Sequence, residues 1–385
     1  MAKKLKILHT TTRLVRGGGV ENNIFHSIDK LYAEFEFHLA CGIDFQANPF
    51  ENHKNVKIII CKDLVHNIRI FKDLKALYFF YKLIKTEKYD IVHTHETKAS
   101  FITKLAAWMA GCPYIIYGLH GVTFNDPMSS LKRNFFITLE KLTIGASDFI
   151  VAVSQDCIYH YHKNNVGKKI PYKVVRSGIE IEDFVKRASF TEQEKAKVRL
   201  TYSINEGDLV ITNVGRFSFS KAQRYTIESF ARLKQRFNNI KLMLVGEGEL
   251  LDECKGLTKK LGVEKDVIFT GYTGKVGEIL SVTDVFMFTS LREGLPRVVV
   301  EASLMKIPVV AFEVEGIREV ITDQESGFVV KQYDTEALTL EAAKLLENEN
   351  LRKKFGERSY EHVRSRWDAN VMASELRKIY LTQPR

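Results

Sequence analysis

Strand-like and helix-like segments alternate along most of this 385-residue chain, and this alternation limits the possible folds more than any other feature. Short apolar runs are followed by longer amphipathic segments, a pattern that predicts βαβ units and a mostly parallel sheet. The predicted strands are residues 6–11, 37–41, 56–60, 90–93, 114–117, 149–154, 172–175, 209–214, 240–245, 267–269, 285–288 and 309–312.

The alternation breaks once, between residues 183 and 208, where the chain is polar and has no strand pattern. We therefore predict an α/β protein with two Rossmann-like domains, residues 1–187 and 188–367, that face each other across a deep cleft. Residues 368–385 contain an amphipathic helix that we expect to pack back on the first domain. The length of the chain suits two hydrophobic cores better than one.

Composition excludes several classes of protein. No stretch approaches the roughly 18 apolar residues of a membrane span, and the chain begins at once with a strand pattern instead of a signal peptide. The five cysteines are scattered and form no Cys-x-x-Cys pair. This spacing argues against a disulfide framework and against a zinc site, and it favours a reducing cytoplasm.

The positive charge is concentrated in the first half of the chain. Residues 1–190 carry 27 Lys and Arg against 18 Asp and Glu, a difference of +9, whereas residues 191–385 carry 30 against 29, a difference of +1. Anionic lipid, phosphate-bearing substrates and nucleic acid are possible partners of such a domain. Solubility alone is the simpler explanation.

Two glutamates near residue 300 indicate a ligand site. Glu293 lies in a loop that follows an apolar strand, and ligands of open α/β sheets bind at the carboxyl ends of strands. Glu301 lies one to two turns into the apolar helix that follows, where a buried carboxylate is costly unless something bonds to it. The pair suits a hydroxyl-rich ligand, although Glu293 taken alone also fits an acid that complements the helix dipole.

A basic loop lies at the corresponding place after another strand. Gly215 and Arg216 end the strand at residues 209–214, and Lys221 comes at the start of the next helix. An arginine fork, a lysine charge and a helix N-terminus each favour an anion, and a diphosphate would satisfy all three. The alternative is a solvated basic loop.

Glycines and histidines mark strand ends in the first domain. Gly17, Gly18 and Gly19 form the first strand-to-helix turn, where a phosphate can approach the backbone, although the Gly-x-Gly-x-x-Gly pattern is absent. His120 follows the strand at residues 114–117 and is either a site residue or a structural histidine. For His93 and His95 we favour a structural or substrate-lining role over metal binding.

The segment at residues 71–85 is basic and amphipathic, with four consecutive aromatic residues. Helical periodicity predicts a core face made of Leu74, Leu77, Tyr78, Tyr81 and Ile84. This face does not account for Phe79, Phe80 and the lysines, which we expect to lie partly outside the core. We favour an ordinary Rossmann helix that covers its sheet over a helix bound to an anionic membrane surface.

Taken together, the motifs resemble the retaining nucleotide-sugar glycosyltransferases of family 4, which have the GT-B fold. The motif Glu293-Gly294-Leu295-Pro296-Arg297, with residues 95–99, is similar to the bacterial polysaccharide and capsule branch of that family. The other matching segments are residues 18–21, 90–95, 119–121, 153–154, 177–180, 215–221 and 366–368.

The resemblance implies roles for particular residues. Arg216 and Lys221 would neutralise the diphosphate leaving group, and Glu301 would hold the ribose hydroxyls. Glu293, with the backbone N–H groups of its loop, would hold the donor sugar. The implied catalytic residues are His120, Arg216, Lys221 and Glu293. The implied donor-binding residues are Gly18, Gly19, Gly215, Arg216, Lys221, Glu293, Gly294, Leu295, Pro296 and Glu301.

Two positions depart from the family pattern: Ala222 stands where glycine is usual and Glu180 where aspartate is usual. The family's chemistry is front-face substitution without a metal, so we expect no cofactor and no metal ion.

We predict a retaining transferase that moves a sugar from a nucleoside-diphosphate sugar, preferably a UDP-sugar, to a lipid-linked or saccharide acceptor. We expect it in the cytoplasm, peripheral at the inner face of the cell membrane, with no nucleic acid bound. A UDP-sugar epimerase of the same fold and a non-enzymatic anion-binding module are the alternatives.

Overall fold

The computed structural model of this protein describes residues 4–14, 18–44, 50, 56–125 and 128–382. The chain divides into two compact units. The first unit comprises Met1–Ile179 and Asp368–Arg385, and the second comprises Glu180–Trp367. Each unit holds one parallel sheet whose strands alternate with helices, which confirms the prediction of two Rossmann-like domains.

The sheet of the first unit has seven strands in the order β3-β2-β1-β4-β5-β6-β7. Apolar side chains lie on both faces of this sheet and form two separate core clusters beneath the helices. The strands are β1 Lys6–Thr10, β2 Glu36–Cys41, β3 Val56–Ile60, β4 Ile91–His95, β5 Tyr114–Leu119, β6 Phe149–Ala152 and β7 Tyr172–Val174. The helices are α1 Gly19–Leu31, α2 Ile70–Glu87, α3 Thr97–Ala110, α4 Ser130–Ile144, α5 Gln155–Lys163 and, from the end of the chain, α15 Ala369–Leu381.

The sheet of the second unit has six strands in the order β10-β9-β8-β11-β12-β13. Its strands are β8 Leu209–Val214, β9 Ile240–Val245, β10 Val267–Gly271, β11 Val285–Phe288, β12 Val309–Phe312 and β13 Gly327–Val330. Its helices are α6 Ile181–Arg187, α7 Glu192–Thr201, α8 Gln223–Lys234, α9 Leu251–Lys260, α10 Val276–Leu280, α11 Arg297–Leu304, α12 Ile317–Val320, α13 Thr335–Glu347 and α14 Glu349–Val363.

Every predicted strand is present, and β13 is the strand that the sequence pattern missed. It has only four residues, the first of which is a glycine, and so short a segment shows no recognisable hydrophobic periodicity. The polar stretch at residues 183–208 contains no strand, but it forms α7, which begins with a capping box between Thr191 and Glu194.

The division between the units falls after Ile179 instead of after residue 187. Helix α6 therefore belongs to the second unit, where it packs near α10 and Ala188 contacts Gly277. The chain returns to the first unit at Asp368, and α15 lies against α1. Met372, Leu376 and Tyr380 of α15 are buried in the core of the first unit.

The predicted core face of α2 is right at Leu77, Tyr81 and Ile84, which are buried in the core or pack against it, and wrong at Leu74 and Tyr78. Ala76, Phe80 and Ile84 are the buried residues, whereas Leu74 and Tyr78 are 57% and 65% exposed. Helix α2 packs on its neighbour α3, and this contact turns Phe80 inward. Leu74 and Tyr78 therefore lie on the solvent-exposed side of α2, together with lysines of the same helix.

Among the described residues, no helix combines the length and the apolar character needed to cross a membrane.

Candidate active site

Two loops of the second unit meet where the strand order reverses. Strands β8 and β11 are parallel neighbours in the middle of the sheet. After β8 the chain continues toward one edge of the sheet through β9 and β10, and after β11 it continues toward the other edge through β12 and β13. In open α/β sheets this switch point is the usual ligand site. The loop after β8 carries Gly215, Arg216 and Lys221, and the loop after β11 carries residues 289–296.

A lysine and a glutamate join these two loops. Lys221 Nζ lies 2.5 Å from Glu293 Oε1, and both side chains are largely shielded from solvent. The stem of Lys221 also packs near Gly215, since a Cβ at that glycine would lie 3.4 Å from Lys221 Cγ and Cδ. An ammonium group has three N–H donors, so Lys221 can hold Glu293 and still donate to a ligand.

Arg216 points to the surface. Its side chain is 66% exposed and its Nη2 lies 3.1 Å from Oε2 of Glu249. A backbone hydrogen bond at Glu249, followed by the nearby guanidinium, holds the pKa of this carboxyl below its usual range. An exposed pair of this kind contributes little stability, so an anionic ligand can displace Glu249 at small cost.

Hydrogen bonds fix the shape of the two loops. Leu291 N donates to Ser220 O at 2.8 Å, and the hydroxyl of Thr289 lies 3.2 Å from Ala222 O. Gln223 Nε2 donates to the carbonyls of Gly215 and Arg216, each at 3.1 Å. The sequence reasoning missed Gln223, although its position at the first residue of a helix after a glycine loop is a usable signal.

Ala222 has a left-handed backbone, with φ at 50° and ψ at 44°. Glycine adopts this conformation without strain, whereas an L-residue pays about 1 kcal/mol or more. The departure from the family's usual glycine therefore falls at a position where the backbone conformation favours glycine. The buried methyl group of Ala222 packs in the core of the second unit and offsets part of that strain.

The loop after β11 offers backbone donors. Within the described part of the chain, the N–H groups of Gly294 and Leu295 donate no hydrogen bond. Pro296 is the N-cap of α11, one residue before the helix begins at Arg297. Gly316 lies close behind the loop, since a Cβ there would come within 2.7 Å of Gly294 O. The loop is thus supported from behind while its N–H groups stay available.

Glu301 has a partner that the sequence analysis did not identify. Arg297 Nε lies 3.1 Å from Glu301 Oε1, an i,i+4 pair on α11, and the glutamate side chain is 13% exposed. The spacing of four residues is the signal that could have found it. Burial raises the pKa of Glu301 while the guanidinium of Arg297 opposes the shift. The second carboxylate oxygen can still bond to a hydroxyl group.

The glycine turn and His120 belong to the first unit. Gly18 is the N-cap of α1 and Gly19 its first residue, after the switch-point strand β1. A Cβ at Gly18 would lie 1.9 Å from Glu21 Oε2, so only glycine fits without moving that side chain. Gly17 lies outside the described residues.

His120 follows β5 and is half-buried. Its Nε2 lies 2.7 Å from Nδ1 of His95, which ends β4 next to it in the sheet. Burial lowers the pKa of His120 to about 4, so the ring is neutral at pH 7. The structure thus connects the predicted site residue His120 with the His-x-His motif, which the sequence analysis treated separately.

Two family models match this chain. The model for glycosyl transferases group 1 matches residues 194–362, and the model for glycosyltransferase family 4 matches residues 17–183. The chain belongs to the family 4 glycosyltransferases. The predicted family, and with it the GT-B fold, is confirmed.

Relatives of this glycosyltransferase include two bacterial glycosyltransferases. It is 27% identical over 350 residues to the UDP-Gal:alpha-D-GlcNAc-diphosphoundecaprenol alpha-1,3-galactosyltransferase of Escherichia coli, with 87% of this chain and 86% of the relative covered. It is also 27% identical to the capsular polysaccharide biosynthesis glycosyltransferase CapM of Staphylococcus aureus, with 82% and 83% covered.

The fold of this glycosyltransferase matches that of solved structures. HepE of Anabaena, crystallised in complex with UDP and glucose, superposes with a TM-score of 0.81 at 19% identity. The superposition covers 98% of this chain and 100% of HepE. The similarity shows a common arrangement of strands and helices, while the roles of individual site residues remain predictions.

Proposed function

We propose that this glycosyltransferase moves a sugar from a UDP-sugar to a lipid-linked or saccharide acceptor, with retention of anomeric configuration, in the synthesis of a cell-surface polysaccharide. The convergence of Lys221 and Glu293 at the switch point of the second unit carries the proposal. One loop supplies positive charge and the other supplies a carboxylate and backbone donors. This combination suits a ligand with a phosphate part and a hydroxyl part.

The diphosphate would bind at the basic loop. Arg216 offers a bidentate fork and Lys221 a point charge, and both can act on the negative charge that develops as the diphosphate leaves. Lys221 comes two residues before α8, whose N-terminal backbone dipole has the same sign. These groups would supply the charge stabilisation without a divalent metal.

The sugar and the ribose would bind to the acidic groups. Glu293 and the N–H groups of Gly294 and Leu295 would hold hydroxyls of the transferred sugar, and Glu301 would hold the ribose hydroxyls. In the transfer step, the bond from the anomeric carbon to the diphosphate oxygen breaks. The acceptor oxygen bonds to that carbon on the same face, and the acceptor proton passes to the departing diphosphate.

A donor panel tests the nucleotide. We expect UDP-sugars to raise the Tm of the protein more than GDP- or ADP-sugars do. A ligand at 100 times its Kd adds about 2.7 kcal/mol to the free energy of unfolding. This corresponds to a shift of about 5–10 °C for a unit of this size.

The product then tests the reaction class. Incubation of the preferred donor with a polyprenyl-diphosphate sugar should give a glycoside with the donor's anomeric configuration, measured by NMR. An inverted product would refute the retaining mechanism. Turnover of the donor without an acceptor, and with no glycoside formed, would indicate an epimerase instead.

The first unit has a surface suited to an anionic membrane. Ile70 and Phe71 at the start of α2 are 71% and 84% exposed, and Leu131 and Leu142 of α4 are 84% and 75% exposed. Helix α3 packs against both helices, so these apolar groups lie on one side of the sheet. The same two helices also carry exposed basic residues, namely Lys75, Lys82, Lys85, Lys132, Arg133 and Lys141.

Vesicle co-sedimentation tests this surface. We expect the protein to bind vesicles that contain phosphatidylglycerol at low salt and to be released as salt screens the lysines. Phe71→Glu should weaken binding about tenfold, because an inserted aromatic ring contributes about 1.5–3 kcal/mol. Leu200→Glu is the matched control, since Leu200 is 81% exposed on the second unit. Equal binding by both variants would rule out α2 as the contact.

A further inference from the structure

Four histidines and one tyrosine of the first unit form an unbroken row of hydrogen bonds. His120 Nε2 lies 2.7 Å from His95 Nδ1, and His95 Nε2 lies 2.9 Å from His9 Nδ1. His9 Nε2 lies 3.3 Å from the hydroxyl of Tyr380, which lies 2.8 Å from His93 Nδ1. The row connects His120 at the end of β5 to the C-terminal helix α15.

The sheet register brings the rings together. His9 of β1 and His93 of β4 are direct partners in neighbouring strands, so their side chains share one face. His95 comes two residues later and lies on that face as well. Tyr380 reaches the same place from α15 and is fully buried.

All four imidazoles are neutral at pH 7. Burial is the main cause that lowers the pKa of His9 to about 3, and it lowers the pKa values of His93 and His95 well below the ordinary range. The pKa of His120 is lowered to about 4. A neutral imidazole has one donor nitrogen and one acceptor nitrogen, so each ring must take one of two tautomers.

We propose that the row makes the four histidines adopt the same tautomer, and that it thereby fixes the hydrogen-bonding role of His120 Nδ1. Each direct contact joins Nε2 of one ring to Nδ1 of the next. The hydroxyl of Tyr380 accepts from one neighbour and donates to the other, so it preserves the direction. If one ring carries its proton on Nδ1, every other ring must do the same or lose a hydrogen bond.

The buried end of the row selects the direction. His93 Nε2 is buried and has no hydrogen-bond partner among the described residues. A buried N–H without a partner is rarer in proteins than a buried acceptor without one. The preferred arrangement therefore leaves His93 Nε2 as the bare acceptor and puts the proton on Nδ1 of all four rings.

His120 then presents an N–H donor at its other end. Its ring is half-buried, and within the described part of the chain Nδ1 makes no hydrogen bond. A hydroxyl or phosphate oxygen of a bound ligand would accept from this group, a step that rests on the proposed function. His95, His9 and Tyr380 are positioning residues, because they act on the ligand through His120.

NMR of protein labelled with ¹⁵N-histidine tests the row directly, without substrate. We expect ring-nitrogen shifts of the neutral Nδ1–H form for His9, His93, His95 and His120 at pH 7.5. Single substitutions of each histidine by glutamine assign the signals. A ring of the four with its proton on Nε2 would overturn the proposal, as would tight binding of one Zn²⁺ through these nitrogens in the purified protein.

A break in the middle of the row provides the second test. In His95→Phe the Nε2 of His120 loses its partner, so His120 should populate both tautomers. His38→Phe is the matched control, because His38 is also buried in the first unit and bonds to Tyr89 at 2.7 Å outside the row. An unchanged His120 spectrum in folded His95→Phe would show that the row does not set its tautomer.

Kinetics separate this inference from the proposed function. Sugar transfer should fall about tenfold in His95→Phe and stay at the wild-type rate in His38→Phe. A shared tautomer in a protein that transfers no sugar would refute the proposed function and leave the row intact. If His95→Phe does not fold, the wild-type spectrum alone decides whether the tautomer is shared.

Discussion

Replacement of Glu293 by alanine is expected to reduce kcat for sugar transfer about 100-fold or more while the protein stays folded. The carboxylate accepts from Lys221 at 2.5 Å and connects the two loops at the switch point. Under the proposed function its loss would remove a charged hydrogen-bond partner of the sugar, and it leaves Lys221 without its anchor. Hydrogen bonds to charged groups contribute about 1.5–3 kcal/mol, and removal of one preorganised group typically costs about 10²–10³ in kcat.

The control for this experiment is Glu341→Ala. Glu341 is also mostly shielded, at 22% exposure, and it pairs with Lys344 at 2.7 Å in the same unit. Initial rates with saturating donor and acceptor, together with thermal melts of both variants, separate chemistry from folding. Wild-type kcat in a folded Glu293→Ala protein would remove Glu293 from the mechanism.

Acidification from pH 7.5 to pH 5.5 is expected to destabilise the first unit, and its three fully buried histidines alone should contribute about 4 kcal/mol to this loss. His9, His93 and His95 are 0%, 1% and 0% exposed, and burial is the main cause of their lowered pKa values. In the unfolded chain these rings titrate near pH 6.5. Between that pH and the folded pKa, which for His9 is about 3, the unfolded state binds more protons.

The sign of the effect follows from that proton difference. Stability rises with pH wherever the unfolded state binds more protons. The contribution of these histidines is therefore complete above about pH 6.5 and is lost as the pH falls toward the folded pKa values. Each ring loses about 1.4 kcal/mol per pH unit in this window.

Hydrogen exchange measured by mass spectrometry resolves the two units in one sample. Peptides of the first unit should lose protection between pH 7.5 and pH 5.5, after correction for the intrinsic exchange rate. The second unit is an internal control, since it holds a single histidine, His362. Equal loss of protection in both units would show that the buried histidines do not cause the effect.

The overall fold was predictable because it depends on short-range patterns. The segments 209–214 and 285–288 coincide with β8 and β11, since a strand buried on both faces is mostly apolar along its length. The loops that carry the candidate site could also be located from the sequence, because a loop after a parallel strand lies at a known edge of the sheet.

Contacts between distant residues were less accessible to sequence reasoning. The face of α2 was predicted wrongly at Leu74, Tyr78 and Phe80, because an amphipathic helix with many aromatic residues has no unique apolar stripe, and packing on α3 decided that Phe80 lies inside. Glu301 was read as a carboxylate without a partner, whereas Arg297 lies one helical turn before it. A spacing of four residues on a helix permits such a pair, but only packing shows which rotamers meet.

The sequence by itself determined the two Rossmann-like domains, the family and the loops that carry the candidate site, because periodicity and motifs are local properties of a chain. The tertiary structure alone decided which of those loops touch. It joined Lys221 to Glu293 through the pairing of β8 with β11. It also brought His120, His95, His9 and Tyr380 into one row. These contacts depend on strand order and register, which arise when separate βαβ units pack into one sheet.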